Sequence, residues 1–342
     1  MGVTRDDVAR LAGVSPATVS YVVNNGPRPV SAAARARVLA AIEELGYSPH
    51  AIARSLKTQR TESAGIIIAD MLNPYLASVA QAAHDELLQQ GYSLLVANSS
   101  ESPARELMWL KFMRSRRVDG LILEPTGDNL PFLKRLAGPG HPPQLVLIDR
   151  AIPELEADTV LLDNVGGARA AVRHLIDLGH RRIALLGLPH EMSPGGERLE
   201  GYKLALRAAG LPIDAALIFE GTFVADEASE MVSRLLNVRP APTAVFASSN
   251  RLARGVLQQI KVRRLRMPDD IALAVFDDVD YFEWMTPSIT AVEVSGVALG
   301  QQAVDYLHDR LTGAYGGPPR LLRIPYRLHV RESTLGMGES AV

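Results

Sequence analysis

Apolar positions recur in two different rhythms along this chain. Over the first 46 residues they fall three and four apart in short segments: Val8, Ala9, Leu11 and Ala12; then Val19, Val22 and Val23; then Val38, Leu39, Ile42 and Leu45. That spacing places each set on one face of a helix. Each segment also carries its own boundary residues. Thr4 followed by Asp7 forms a capping-box pattern, and Ser15 before Pro16 is an N-cap with proline at the first helical position. Ser31 caps the third helix, and Gly46 stops it. Three helices this short enclose only a small core.

From Ser63 the rhythm changes. Continuous apolar runs appear at 66–68, 94–97, 121–123, 145–148, 160–162, 183–186, 244–247 and 271–276. Most are separated by segments of helical spacing, often closed by glycine, as at Gly91, Gly179 and Gly210. Continuous apolar strands alternating with helices predict parallel sheets covered on both faces. Roughly 280 residues of this exceed one comfortable core, so the pattern predicts two α/β lobes.

The head has the layout of a helix-turn-helix. Gly13 sits in the turn, Val14 plugs it, and the second helix starts at Ser15. The face opposite Val19, Val22 and Val23 carries Ala17, Thr18, Ser20, Tyr21 and Asn24. These side chains are uncharged and mostly hydrogen-bonding, and can approach a sugar-phosphate backbone closely. Paired short helices also occur in proteins that never touch DNA, so the pattern by itself leaves both readings open.

Residues 47–60 form a second unusual stretch. Ser48 and Pro49 start a short helix that places apolar Ile52 and Leu56 beside Arg54, Lys57 and Arg60. An isolated helix of this length is marginal in water. It reads either as a hinge that folds on DNA, with Leu56 wedged into the minor groove, or as a plain linker.

Composition narrows the class. The 342 residues include no cysteine, which removes disulfides and thiolate metal sites. No N-terminal run resembles a signal peptide and no stretch is long enough to span a bilayer, so a cytoplasmic protein without a membrane partner is expected. The net charge of −2 divides unevenly: residues 1–60 carry eight Lys/Arg against four Asp/Glu, or +4, and the remainder 28 against 34, or −6. A basic head on an acidic body points to a polyanion partner for the head.

Ligands of doubly wound sheets bind beyond the carboxyl ends of the strands. That rule selects 70–75, Glu124, Asp149 with Arg150, 188–198, 221–223, 248–250, and Asp277 with Asp278. Hydroxyls, amides, carboxylates, arginine and aromatic rings together suit a small polyhydroxylated ligand. No P-loop, no Gly-x-Ser-x-Gly elbow and no His-Glu-x-x-His occurs, so neither catalysis nor a cofactor is expected. Asp277 and Asp278 point to opposite sides of an extended chain and make a poor acid/base couple. His174 and His180 read as capping or packing residues.

The motifs in order resemble those of the LacI/GalR family of bacterial transcription regulators. The likeness rests on Asp7-Val8-Ala9, Ala12-Gly13-Val14-Ser15, Ala17-Thr18-Val19-Ser20 and Val23-Asn24, then Gly46-Tyr47-Ser48-Pro49 and Ala53-Arg54-Ser55-Leu56. In the body it rests on Val118-Asp119-Gly120, Asp163-Asn164, Leu178-Gly179-His180, Arg198 with Gly201-Tyr202, Phe276-Asp277-Asp278 and Pro287-Ser288-Ile289-Thr290. The resemblance implies an all-α helix-turn-helix head over 1–46, a hinge over 47–60, and a two-lobed periplasmic-binding-protein-like body over 61–342. The N-lobe is expected at about 61–161 plus 291–323, and the C-lobe at about 162–290 plus 324–335. It further implies a regulator, most often a repressor, that binds a pseudopalindromic duplex operator as a homodimer or higher assembly. A sugar-like or nucleoside-like effector is expected to control that binding.

Carried over by position, base reading falls to Pro16, Ala17 and Tyr21, and phosphate contacts to Thr4, Ser15, Thr18, Ser20, Asn24 and Ser31. Leu56 is the minor-groove wedge, with His50 and Arg54 beside it. The effector cleft maps to Tyr75, Asp149, Arg198, Phe223, Ser249, Asn250 and Asp277. Four positions depart from the family pattern. Tyr21 stands where many members have arginine, which shifts base readout toward thymine methyl contacts and DNA deformability. Ser249-Asn250 replaces an Asn-Asp pair, and Val275 replaces glycine.

Overall fold

The computed structural model describes residues 3–23, 28–47, 60–137, 143–191, 193–221 and 225–335. The chain divides into two compact units, Met1–Glu62 and Ser63–Val342.

The first unit is helical. Helices α1 (Arg5–Ala12), α2 (Pro16–Val23) and α3 (Ala32–Leu45) follow the spacing read from the sequence. The capping box at α1 is complete: the Asp7 amide donates to the Thr4 hydroxyl, and the Thr4 amide donates to the Asp7 carboxylate at 3.0 Å. Gly13 ends α1 with φ of 63° and Gly46 ends α3 with φ of 60°, left-handed backbone that glycine adopts at least cost. The core is Val8, Ala9, Ala12, Val19, Val22, Val38 and Ala41. Arg37 Nε donates 3.0 Å to the Ala12 carbonyl and ties α3 to the end of α1.

The second unit holds two six-stranded sheets. Strands β1 (Ser63–Ile68), β2 (Ser93–Asn98), β3 (Gly120–Leu123), β4 (Gln144–Ile148) and β5 (Asp158–Leu162) form the first, joined by β11 (Leu321–Ile324). Its order is β11-β5-β4-β3-β1-β2, parallel throughout. The second contains β6 (Ile183–Gly187), β7 (Ile218–Glu220), β8 (Ala244–Ala247), β9 (Ala272–Phe276), β10 (Thr290–Val294) and β12 (Tyr326–His329). Its order is β12-β10-β9-β8-β6-β7, with β12 alone antiparallel.

Helices cover both sheets. They are α4 (Pro74–Gln89), α5 (Pro103–Ser115), α6 (Leu130–Leu136), α7 (Asn164–Asp177), α8 (Ser193–Ala208), α9 (Ala225–Leu235), α10 (Asn250–Arg263), α11 (Asp280–Trp284), α12 (Gly296–Thr312) and α13 (Glu332–Leu335). One buried cluster runs through both lobes, from Ile66, Val146 and Val160 to Phe246, Phe276 and Val292.

The chain crosses between lobes after β5, β10 and β11. The second crossing corrects the expected N-lobe return at 291. Strand β10 pairs Thr290 with Ala274 and Val292 with Phe276, so residues to Val294 belong to the C-lobe sheet. Likewise β11 keeps Ile324 in the first sheet, opposite Leu162, one residue past the expected limit of 323. Strand pairing sets both limits, and an apolar run read alone carries no pairing information.

Candidate effector cleft and DNA-reading helix

Each sheet order reverses once, between β1 and β3 in the first and between β6 and β8 in the second. Ligand crevices form where neighbouring connections diverge. A cleft lies at these ends, enclosing about 470 Å³ counting the part open to solvent. The N-lobe lines it with Asp70, Asn73, Tyr75, Glu101, Glu124, Asp149 and Arg150. The C-lobe contributes Leu188, Pro194, Arg198, Ser249, Arg251 and Asp277.

The C-lobe wall is centred on Arg198, only 3% exposed. Helix α8 carries it inward, and four groups hold it. Its Nε donates to Asn164 at 2.9 Å, Nη1 to the Ser248 carbonyl, and Nη1 and Nη2 to Asp277 at 3.2 and 3.3 Å. Its guanidinium lies 3.8 Å from the centroid of the Phe276 ring. Asn164 is fixed in turn by donating to Glu197 at 2.8 Å, and Glu197 pairs with Arg323 at 2.8 Å. A buried charge is tolerated only with this degree of pairing and hydrogen bonding. Burial still raises the Asp277 pKa, against the opposing pull of Arg198.

The N-lobe wall is richer in acid. Arg150 reaches Glu101 through two hydrogen bonds of 2.6 and 2.8 Å and Glu124 at 3.1 Å. Glu124 also accepts from the Ala69 amide at 2.7 Å. Burial pushes its pKa up to about 8, against the pull of Arg150. Burial likewise raises Asp149, and raises the Tyr75 phenol well above its usual range. Burial acts against the Arg150 charge, but Glu124, Glu101 and Asp149 more than offset it and raise its pKa. Asp149 Oδ1, Arg150 Nε and the Tyr75 hydroxyl are buried without a hydrogen-bond partner.

Asp149 and Asp277 occupy equivalent places, each directly after a strand, with φ of 62° and 69°. This left-handed backbone is uncommon outside glycine, and clusters at functional sites. It turns both carboxylates out of their strands toward the cleft. Asp278 is not among the lining residues and pairs with Arg331 at 2.7 Å; the left-handed turn at Asp277, not extended-chain alternation, separates the two carboxylates. His174 Nε2 lies 2.9 Å from the Thr334 hydroxyl and His180 Nδ1 3.0 Å from that of Thr243, so both bond within the fold.

Five of the seven expected effector residues line the cleft: Tyr75, Asp149, Arg198, Ser249 and Asp277. The Ser249 hydroxyl caps α10 by accepting from the Leu252 amide at 3.2 Å. Asn250 is not among the lining residues and instead donates across the lobes to Asn73 at 3.2 Å. Phe223 lies outside the described residues. Four lining residues escaped the strand-end rule: Ala69 and Leu76, each one residue outside the selected 70–75, and Glu101 and Arg251. Glu101 sits three residues past β2, and Arg251 one residue inside α10, where Arg251 pairs with Asp70 of the other lobe.

In the head, Ser15, Pro16 and Ala17 are exposed at the start of α2, with Thr18, Ser20 and Tyr21 half-buried behind them. Capping occupies part of the hydroxyl capacity. Thr4 Oγ1 donates to Asp7 at 2.6 Å, which uses its proton. Ser15 Oγ accepts from the Thr18 amide and lies 2.9 Å from Thr18 Oγ1. Ser31 Oγ accepts from the Ala34 amide at 3.3 Å, leaving its proton to donate. Asn24, His50, Arg54 and Leu56 lie outside the described residues.

Comparison with known proteins agrees with both units. Residues 4–50 match the model described as bacterial regulatory proteins, lacI family, and 172–334 match the periplasmic binding protein-like domain. The ribose operon repressor of Escherichia coli (strain K12) is 36% identical over 309 residues, covering 90% of this chain and 93% of its own. The chain belongs to the lacI family. As a lacI-family member it is a transcription regulator, with a DNA-binding head and a periplasmic-binding-like effector body. The solved complex of the transcriptional regulator CelR with cellobiose is 32% identical, with a TM-score of 0.72 over 97% of this chain and 99% of that one. The lac repressor dimer bound to operator and the anti-inducer ONPF is 27% identical, with a TM-score of 0.84 over 98% and 99%. These relatives of the lacI-family chain are regulators. Among its described residues, no helix is long and apolar enough to cross a membrane.

Proposed function

We propose that this chain is a cytoplasmic, non-catalytic repressor that binds a pseudopalindromic operator as a homodimer and responds to a sugar-like or nucleoside-like effector. One observation carries the reading: a cleft wall with three buried polar atoms lacking partners stands in the same chain as an exposed helix start at Ser15 to Ala17. Buried polar groups without partners are costly, and a ligand that supplies partners removes that cost. The lac repressor, solved as a dimer on operator, and CelR, solved with cellobiose, support the dimer and the carbohydrate class. A two-fold dimer places two recognition helices on half-sites one helical turn apart. Pro16, Ala17 and Tyr21 read bases, Thr4, Ser15, Thr18, Ser20, Asn24 and Ser31 meet phosphates, and Leu56 enters the minor groove flanked by His50 and Arg54. Tyr75, Asp149, Arg198, Phe223, Ser249, Asn250 and Asp277 surround the effector.

Coupling needs an effector whose affinity differs between two lobe arrangements, by typically 1–3 kcal/mol. The interlobe bonds Arg251–Asp70 and Asn250–Asn73 belong to one such arrangement.

The test is selection of a duplex from a random pool with the purified protein, followed by anisotropy titration against a carbohydrate and nucleoside panel. A palindromic consensus whose affinity changes with one panel member supports the reading. Binding that never exceeds that for random duplex, with every panel member, overturns it. Leu56→Ala should weaken specific binding more than non-specific binding; equal loss removes Leu56 from the groove.

A further inference from the structure

Three cations line the cleft, and a carboxylate already holds each: Arg150 by Glu101 and Glu124, Arg198 by Asp277, Arg251 by Asp70. Five carboxylates face these three arginines, the fifth being Asp149. An entering phosphate therefore meets neutralised cations and surplus acid. In a buried site little solvent screens that repulsion. Burial lifts the Glu124 pKa to about 8, so Glu124 carries little charge near neutral pH; four carboxylates still stand against three arginines, and Asp149 is the surplus one.

The unpartnered atoms specify the complementary chemistry. Asp149, 7% exposed, leaves Oδ1 without a donor; its neighbour Arg150 leaves Nε without an acceptor; the Tyr75 hydroxyl lacks any partner. Asp149 and Arg150 follow β4 directly, so a missing donor and a missing acceptor lie side by side on one wall. A hydroxyl both donates and accepts, whereas an ionised phosphate or carboxylate only accepts. An anionic group could serve Arg150 Nε but would leave the Asp149 oxygen opposed by like charge.

We infer that the cleft recognises an uncharged polyol through a hydroxyl donating to Asp149 Oδ1 and a neighbouring oxygen accepting from Arg150 Nε, and that it excludes phosphorylated and carboxylated forms of that ligand. The inference rests on the reading of the cleft as the effector site. Free sugars and the ribose of nucleosides share this chemistry, and the experiment separates them.

Full-length protein is titrated calorimetrically with ribose, glucose, galactose, cytidine and adenosine, each beside its phosphate monoester, and with inorganic phosphate alone. At least one neutral compound binds, and its monoester binds at least about 100-fold more weakly, the cost of a like-charge contact. In Asp149→Asn, which removes the repelling charge, the ratio falls below about 10-fold. Inorganic phosphate alone produces no heat and no thermal stabilisation. A sugar or a nucleoside as the tighter neutral binder identifies the source of the diol. A monoester that binds as tightly as its neutral parent, or stabilisation by inorganic phosphate, overturns the inference and leaves the effector reading intact. Binding by no compound of either charge overturns the effector reading and the inference with it.

Discussion

The two walls of the cleft use the same residue types but are finished differently. On the C-lobe wall, Arg198 bonds through all three guanidinium nitrogens and stacks on Phe276, and the carboxylate it meets is paired. On the N-lobe wall, Arg150 is surrounded by Glu101, Glu124 and Asp149, yet its Nε and one oxygen of Asp149 have no partner. The first wall is a preformed anchor whose groups satisfy one another. The second is complete only when something supplies a donor and an acceptor. The walls thus differ in hydrogen-bond satisfaction: the unpartnered buried atoms of the cleft lie on the N-lobe side.

The largest effect expected from separating these walls is that of Arg198→Ala. It leaves Asp277 buried without its cation and should cost about 3–5 kcal/mol in urea unfolding of the body. A loss below about 1 kcal/mol would show that the anchor is not preformed.

Glu124→Gln tests the other wall through pH. Folding raises the Glu124 pKa from 4.5 to about 8, so across this interval the folded state binds the proton and the unfolded state does not. Stability from this group is greatest at low pH and declines as pH rises from about 4.5 to 8, by a few kcal/mol. The variant should lose that part of the slope, measured as urea midpoints at several pH values. An unchanged slope would place the missing counter-charge elsewhere.

Gly167→Ala asks how rigid the anchor is. A Cβ there lies 2.8 Å from the Phe276 ring and 2.9 Å from Val292 Cγ1. Overpacking of this kind costs about 1–3 kcal/mol, and displacement of Phe276 should also weaken effector binding, read by calorimetry. The smallest effect is expected for Arg251→Ala. Its pair with Asp70 spans the lobes but is partly solvated, at 37% and 20% side-chain exposure. Body stability should change by less than about 1 kcal/mol, while effector affinity shifts a few-fold.

Much of this was legible beforehand. Thr4 with Asp7, Ser15 with Pro16, Gly13 and Gly46 specify their caps within a few residues of chain, and the structure places each there. The eight apolar runs all became strands. The runs do not mark strands β7, β10, β11 and β12. β11 and β12 carry Arg323, Arg327 and His329 among partly exposed positions, so burial on both faces does not mark them. The bond from Asn250 to the cleft-lining Asn73, a partner 177 residues away, was not legible from local spacing.

Local spacing alone determined the helices of the head, the alternation of strands and helices in the body, and the strand ends where Asp149, Arg198 and Asp277 gather, because caps and periodicities act over a few residues. Only the tertiary structure decided which charges meet. Glu101 reaches Arg150 across 49 residues, Asp70 reaches Arg251 across 181, and the atoms left over on the N-lobe wall follow from those pairings. A charge has no preferred partner until folding removes water and brings one within a few ångströms, and short-range order carries no record of that choice.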